Sequence, residues 1–176
     1  MRILGFFVGL ISALLMISVA AQAQQQSSNL VAVETDWSVF EDTNPKECWG
    51  VAVPDKTVNT RNGRVVAATR GDILLIVLFN PAANANAQVT FRGGYTFATG
   101  SKVNINIGGT DFGLFTDGEW AWPENTAEDA KIVAAMKKGA VAVVTGVSTR
   151  GTNTKDTFSL RGFTAAVETA EKRCAS

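Results

Sequence analysis

Ile73-Leu74-Leu75-Ile76-Val77-Leu78-Phe79 is an unbroken apolar run, closed on one side by Gly71-Asp72 and on the other by Asn80-Pro81. So short a run is barely two turns of helix but a full-length strand, and its Ile and Val favour extended backbone. It reads as a central strand buried on both faces. Further along, Val103, Ile105 and Ile107 alternate with Lys102, Asn104 and Asn106, the period-two pattern of a half-buried strand. Ala140 to Val147 is a second candidate central strand, and Thr157-Phe158-Ser159-Leu160 another. Towards the N-terminus, Trp37-Ser38-Val39-Phe40 begins a strand, Asp42-Thr43-Asn44-Pro45 turns the chain, and Cys48 to Val53 resumes extended backbone.

Turn chemistry joins these pieces. Asn62-Gly63 lies between Thr57-Val58 and Val65-Val66 and accepts the positive φ values of a tight hairpin. Asp117-Gly118 can form a second two-residue turn, which sets Phe115 opposite Trp120. Residues 80–88, rich in Ala and Asn, read as a surface loop. Thr126-Ala127-Glu128-Asp129 has the form of a capping box, with Ile132, Val133 and Met136 on one face of a helix that Gly139 stops. A second helix runs from about Phe163 to Arg173. Phe163, Ala166, Val167 and Ala170 share its buried face and aim Cys174 at the core. The total is about eight or nine short strands and two short helices, without the alternation that builds a parallel sheet; a β-sandwich of two antiparallel sheets fits best.

The N-terminus is of another kind. Arg2, an apolar run from Ile3 to Ala20, and Ala21-Gln22-Ala23 have the three parts of a cleavable secretory signal over residues 1–23. An uncleaved membrane anchor is the alternative, since the run is long enough to span a bilayer. Residues 24–36 lack periodicity and read as a flexible leader, so that one domain occupies 37–176. Cys48 and Cys174 are the only cysteines, and an even count in an exported chain favours a disulfide. The alternative is two buried thiols.

Composition excludes several functions. Lys plus Arg and Asp plus Glu number 16 each, and loss of Arg2 with the signal leaves the rest one unit negative. That balance supplies no field for nucleic acid or an anionic bilayer. The chain has no histidine, which removes Ser-His-Asp and Cys-His catalysis and imidazole zinc sites; no metal or cofactor is expected. Gly146-Val147-Ser148-Thr149-Arg150-Gly151 lacks the glycine two residues after Ser148 that a nucleophile elbow uses. Asp117 and Glu119 form a carboxylate pair, but beside a glycine they also make an ordinary hairpin turn. Arg70-Gly71-Asp72 matches a tripeptide read by adhesion receptors, and stands where a turn is expected.

Trp120 and Trp122 project from one side of their strand, and with Trp49 they are candidates for partner binding. Arg150, Lys155 and Asp156 are added to that set. A competing reading places Ser148, Arg150, Lys155 and Asp156 together in a cleft that binds or hydrolyses a small ligand; it requires the four to converge within hydrogen-bond reach.

Several segments, taken together, resemble the invasion-associated locus B family. They are the signal, Trp37, Cys48-Trp49, Phe115-Thr116-Asp117-Gly118-Glu119-Trp120-Ala121-Trp122-Pro123, Ala130-Lys131-Ile132-Val133-Ala134-Ala135-Met136-Lys137, Arg150-Gly151-Thr152, and Asp156-Thr157-Phe158-Ser159-Leu160 with Gly162-Phe163-Thr164-Ala165-Ala166 and a terminal Cys. The segment from Gly118 to Cys174 is the specific part. The resemblance implies an exported α-proteobacterial envelope protein with an immunoglobulin-like β-sandwich, named for host-cell invasion in pathogenic members. It carries over no catalytic residue. Phe40 stands where some relatives have a cysteine soon after the early tryptophan, so a two-disulfide pattern is not available. Apart from the resemblance, the export signal, the β-rich pattern and the lack of histidine point to a non-catalytic interaction module with a protein partner in the envelope or on a host cell, and no membrane span once the signal is cleaved.

Overall fold

The computed structural model describes residues 29–175; the expected signal, residues 1–23, lies outside them. The first strands are β1 (Leu30–Glu34), β2 (Trp37–Thr43), β3 (Lys46–Ala52), β4 (Lys56–Arg61) and β5 (Arg64–Val65). Then come β6 (Leu74–Asn80), a short 3-10 turn at Pro81–Ala83, β7 (Ala85–Arg92), β8 (Lys102–Ile107), β9 (Thr110–Asp117) and β10 (Trp120–Trp122). Helix α1 (Thr126–Lys138), β11 (Val141–Val147), β12 (Asn153–Ser159) and helix α2 (Phe163–Cys174) complete the chain.

All twelve strands belong to one antiparallel sheet, in the order β1-β2-β3-β6-β7-β10-β9-β8-β11-β12-β4-β5. The fold is mainly β as expected, but the immunoglobulin-like sandwich of eight or nine strands in two sheets is not what the pairing forms. Three residues make the difference. β10 bonds to β7 through Trp120 and Ala121 and to β9 through all three of its residues, so it splices two groups of strands into one ladder. Pro123 follows and has no N–H with which to prolong it.

The sheet is rolled. Phe91 on β7 and Phe158 on β12 are five places apart in strand order, which is about 24 Å in a flat sheet. Their rings nevertheless meet edge to face at 6.2 Å. The Trp37 indole, fully buried at the start of β2, donates to the Ser159 carbonyl at the end of β12 (3.0 Å). Side chains alternating inward from both groups of strands therefore share one core. α2 closes its open side against β1, β2, β3 and β6, and α1 packs on β7.

Several local expectations hold. Arg61 pairs with Arg64 across Asn62-Gly63, and both turn residues have positive φ (50° and 73°). Val103, Ile105 and Ile107 point inward, and α2 buries Phe163, Ala166, Val167, Ala170 and Cys174. Cys48 and Cys174 form the disulfide, with Cα atoms 5.7 Å apart. Gly162, at the N-terminus of α2, has a φ of 87°, and a Cβ there would overlap the Glu34 carbonyl oxygen, so the glycine lets α2 seat on β1.

Other expectations are corrected. The leader does not reach residue 36, because Leu30–Glu34 pairs with β2 as an edge strand. The apolar run forms β6 but is not sealed on both faces: Leu75, Val77 and Phe79 are buried, whereas Leu74, Ile76 and Leu78 are partly exposed on the outer side. Residues 85–88 are strand rather than loop, because pairing with β6 outweighs their weak intrinsic preference. The β9–β10 turn is Gly118-Glu119, with Gly118 at a φ of 56°; Phe115 consequently faces Trp122, not Trp120. Asn125, one residue before the expected capping box, caps α1 by accepting from Ala127 N and Glu128 N.

Asp129, in the first turn of α1, is buried and accepts from the backbone N–H of Val89 at 2.8 Å. Burial raises its carboxyl above the ordinary range, against the Val89 bond, which lowers it. A proton held more tightly folded than unfolded gives stability that is present at low pH and lost as pH rises through the folded value. Asp129→Asn keeps an acceptor for Val89 and removes the desolvated charge. In urea titrations from about pH 3 to about pH 7 the variant is expected to gain on the wild type as pH rises; a difference independent of pH counts against this role.

Candidate functional site

The aromatic residues that face outward lie on one run of adjacent strands. Across β2, β3, β6, β7, β10 and β9 the outward residues include Phe40, Trp49, Val51, Leu74, Ile76, Leu78, Phe115, Trp120 and Trp122. Register sets them in two groups: Phe40 lies opposite Trp49, Trp49 opposite Leu78 and Val51 opposite Ile76 in one, and Trp122 opposite Phe115 in the other, with the polar Gln88, Thr90 and Arg92 of β7 between them. Phe40 and Trp49 stack at 5.7 Å. Phe115 and Trp120 remain 41% and 40% exposed. On β8, β11, β12 and β4 the outward positions mix Asn104, Asn106, Thr145, Lys155, Thr157 and Lys56 with the aliphatic Val58, Val141, Val143 and Val147, and carry no aromatic ring. Outward aromatic clusters of this kind mark interaction sites.

Two cations border the second of these groups. Lys102 Nζ sits 4.6 Å from the Phe115 ring centre and the Arg92 guanidinium 5.4 Å from that of Trp120. Arg92 also bonds Glu119 (3.2 Å) and Asp72 (3.1 Å). Glu119 is thus part of an ion-pair cluster, and Asp117 lies opposite Trp120 in the ladder.

The structure therefore turns Trp49, Trp120 and Trp122 outward, Trp120 and Trp122 together on β10 and Trp49 on β3 beyond β7 and β6, and disperses the other candidates. Asp156 is fully buried, and Arg70 grips it with two bonds of 2.7 Å. Arg70 also donates to the Gly93 carbonyl, by Nε at 2.9 Å and Nη2 at 2.7 Å. The Arg70-Gly71-Asp72 tripeptide is accordingly not displayed, because its arginine is internal. Lys155 projects from the opposite side of β12 to Asp156. Ser148 is buried, and its Oγ accepts from the Thr152 N–H within a tight turn. Only Arg150 and Ser148 of the four border a common cavity, so the convergence required of a hydrolytic or ligand-holding quartet is absent.

That cavity is a polar cleft of about 430 Å³ with Arg61, Arg70, Tyr95, Ser148, Arg150 and Thr152 among its walls. Arg70 and Tyr95 meet along it, the guanidinium 5.0 Å from the ring centre. The Tyr95 hydroxyl pairs with Thr154 Oγ1 at 2.7 Å. Burial raises the Tyr95 phenol above its ordinary value, opposed by the Thr154 hydrogen bond and the Arg70 charge. Gly71 and Gly94 approach closely enough for the Gly71 N–H to bond the Gly94 carbonyl (2.8 Å), which sets Arg70 beside Tyr95. Arg61 and Tyr95 carried no sequence signal; they stand far from one another along the chain and in no motif.

With this geometry in hand, the comparison with known families is decisive on kinship. A family described as Invasion associated locus B protein matches residues 37–171, most of the chain. The chain belongs to that family. In this member of the invasion-associated locus B family the matched span contains both outward aromatic groups and the whole cleft; Cys174 lies just beyond it. The chain has no match among curated proteins or among solved structures.

Proposed function

We propose that this protein is exported through residues 1–23 and acts in the periplasm or cell envelope as a non-catalytic interaction module, with a protein partner in the envelope or on a host cell. The outward aromatic residues carry this reading. Large aromatic side chains supply most of the energy where proteins meet, and here Phe40 and Trp49 form one outward pair and Phe115, Trp120 and Trp122 an outward cluster. Export is supported by the Cys48–Cys174 disulfide, a bond that persists in oxidising compartments. Among the described residues, no helix is long and apolar enough to cross a membrane. The lack of histidine and the dispersal of Ser148, Arg150, Lys155 and Asp156 support a role without catalysis.

The test is site-specific photocrosslinking in intact cells, with the probe at Trp49, Trp120 or, as control, Lys155. Capture of one identified protein from the two tryptophan positions and not from Lys155 is expected. Trp49→Ala with Trp120→Ala should then weaken the purified pair by at least about thirtyfold, the loss of about 2 kcal/mol or more typical of a central aromatic residue. Capture equal at all three positions, or affinity unchanged by the double substitution, would refute the reading.

A further inference from the structure

We infer that the polar cleft is a binding site for a small organic anion, whose carboxylate or phosphate is held between Arg61 and Arg150. Charge accounting within the cleft leads to this. Three guanidiniums line it, and Arg70 is fully engaged by Asp156 and the Gly93 carbonyl. The carboxylate on its wall, Glu119, is held by Arg92. Arg61 makes a single bond, to Thr152 Oγ1 at 2.7 Å, and leaves its remaining donors open. Arg150 makes no hydrogen bond or ion pair among the described residues. Two positive charges thus border one cavity without an opposing carboxylate of their own, although the chain as a whole is electrically balanced.

The cleft is also built to hold these groups in place. The Ser148–Thr152 turn is closed by the Gly151 N–H to the Ser148 carbonyl (2.8 Å) and by Ser148 N–H to the Thr152 carbonyl (2.9 Å). Gly151 has a φ of 70°, and Arg150 stands at the tip of the turn it permits. The same turn presents Thr152, which anchors Arg61. One guanidinium is therefore pre-oriented and the other is carried on a fixed loop, so little freedom is lost when an oxyanion takes bonds from both. Thr69, Thr96 and Thr149 also border the cavity. A volume of about 430 Å³ exceeds what a bare phosphate fills and leaves room for an organic body against Tyr95.

The experiment is calorimetric titration of the oxidised protein with inorganic phosphate, a sugar phosphate, citrate and the neutral parent sugar, each against sodium chloride of matched ionic strength. Binding of citrate, of the sugar phosphate or of both, with no heat from the neutral sugar, is expected; which of them binds distinguishes a carboxylate from a phosphate ligand. Arg150→Gln removes no internal bond, so its fold is retained, and it should weaken binding about tenfold or more, as loss of a charged hydrogen-bond donor does. Arg61→Gln should do likewise, and Lys155→Gln, on the other side of the sheet, should leave affinity unchanged. The proposal is overturned if no organic anion binds above the salt control, if the neutral sugar binds equally, or if Arg150→Gln and Arg61→Gln bind as the wild type does.

Discussion

Replacing Asp156 with alanine is expected to cost about 3–5 kcal/mol of stability, the range for breaking a buried ion pair from one side. The Arg70 side chain is 5% exposed and that of Asp156 0%, and the two meet in a bidentate fork. Without the carboxylate, the guanidinium keeps the Gly93 carbonyl and a long 3.5 Å contact to Asn59, too little to balance a charge away from water. Urea denaturation measures the loss. A control separates the orphaned charge from lost packing: Arg70→Met with Asp156→Leu, which removes both charges, should be clearly more stable than Asp156→Ala alone. If the single substitution costs under about 1 kcal/mol, the range of a surface pair, the arginine is not confined as described.

The second large effect concerns the disulfide. Its two cysteines are 126 residues apart, and chain entropy assigns roughly 5 kcal/mol to closing such a loop. That is comparable with the entire net stability of many domains. Cys48 lies on β3 and Cys174 ends α2, so the bridge also pins the helix that covers the core. Cys48→Ala with Cys174→Ala, or reduction of the wild type, is expected to lower the thermal midpoint strongly and to expose α2 amides to hydrogen exchange before those of β6. An unchanged midpoint in the alanine variant would show that helix packing alone holds the C-terminus.

What could be read from the sequence was what neighbouring residues decide. Asn62-Gly63 specified its hairpin because two adjacent positive φ values suit those residues, and the spacing from Phe163 to Cys174 placed the helix face and its cysteine together. The union of two sheets into one was not legible. It depends on a three-residue strand, β10, whose pairing with β7 is a tertiary event with no periodicity of its own. Gly118-Glu119 against Asp117-Gly118 is a one-residue choice that turn composition leaves open, and it moved the aromatic partner of Phe115 from Trp120 to Trp122. The outward tryptophans were half visible: Trp120 and Trp122 share a parity, but only strand pairing shows that Trp49 faces outward as well. Asp156 looked available in the sequence because its partner, Arg70, is 86 residues away. Separation along the chain also hid the cleft, whose walls come from five separate stretches.

Strand order also governs the timetable of folding. β1, β2 and β3 are consecutive and can pair as soon as they are made, as can β6 with β7. The β4–β5 hairpin has no such neighbour: outside the hairpin its inner strand bonds only to β12, with Thr57 matched to Asp156 roughly 100 residues later. A nascent chain therefore carries a waiting hairpin with an unsatisfied row of backbone donors and acceptors until nearly all of the polypeptide has emerged. Its polar Lys56-Thr57 and Asn59-Thr60-Arg61 suit that wait, since a charged, hydrophilic rim discourages adhesion to stray strands in the interval.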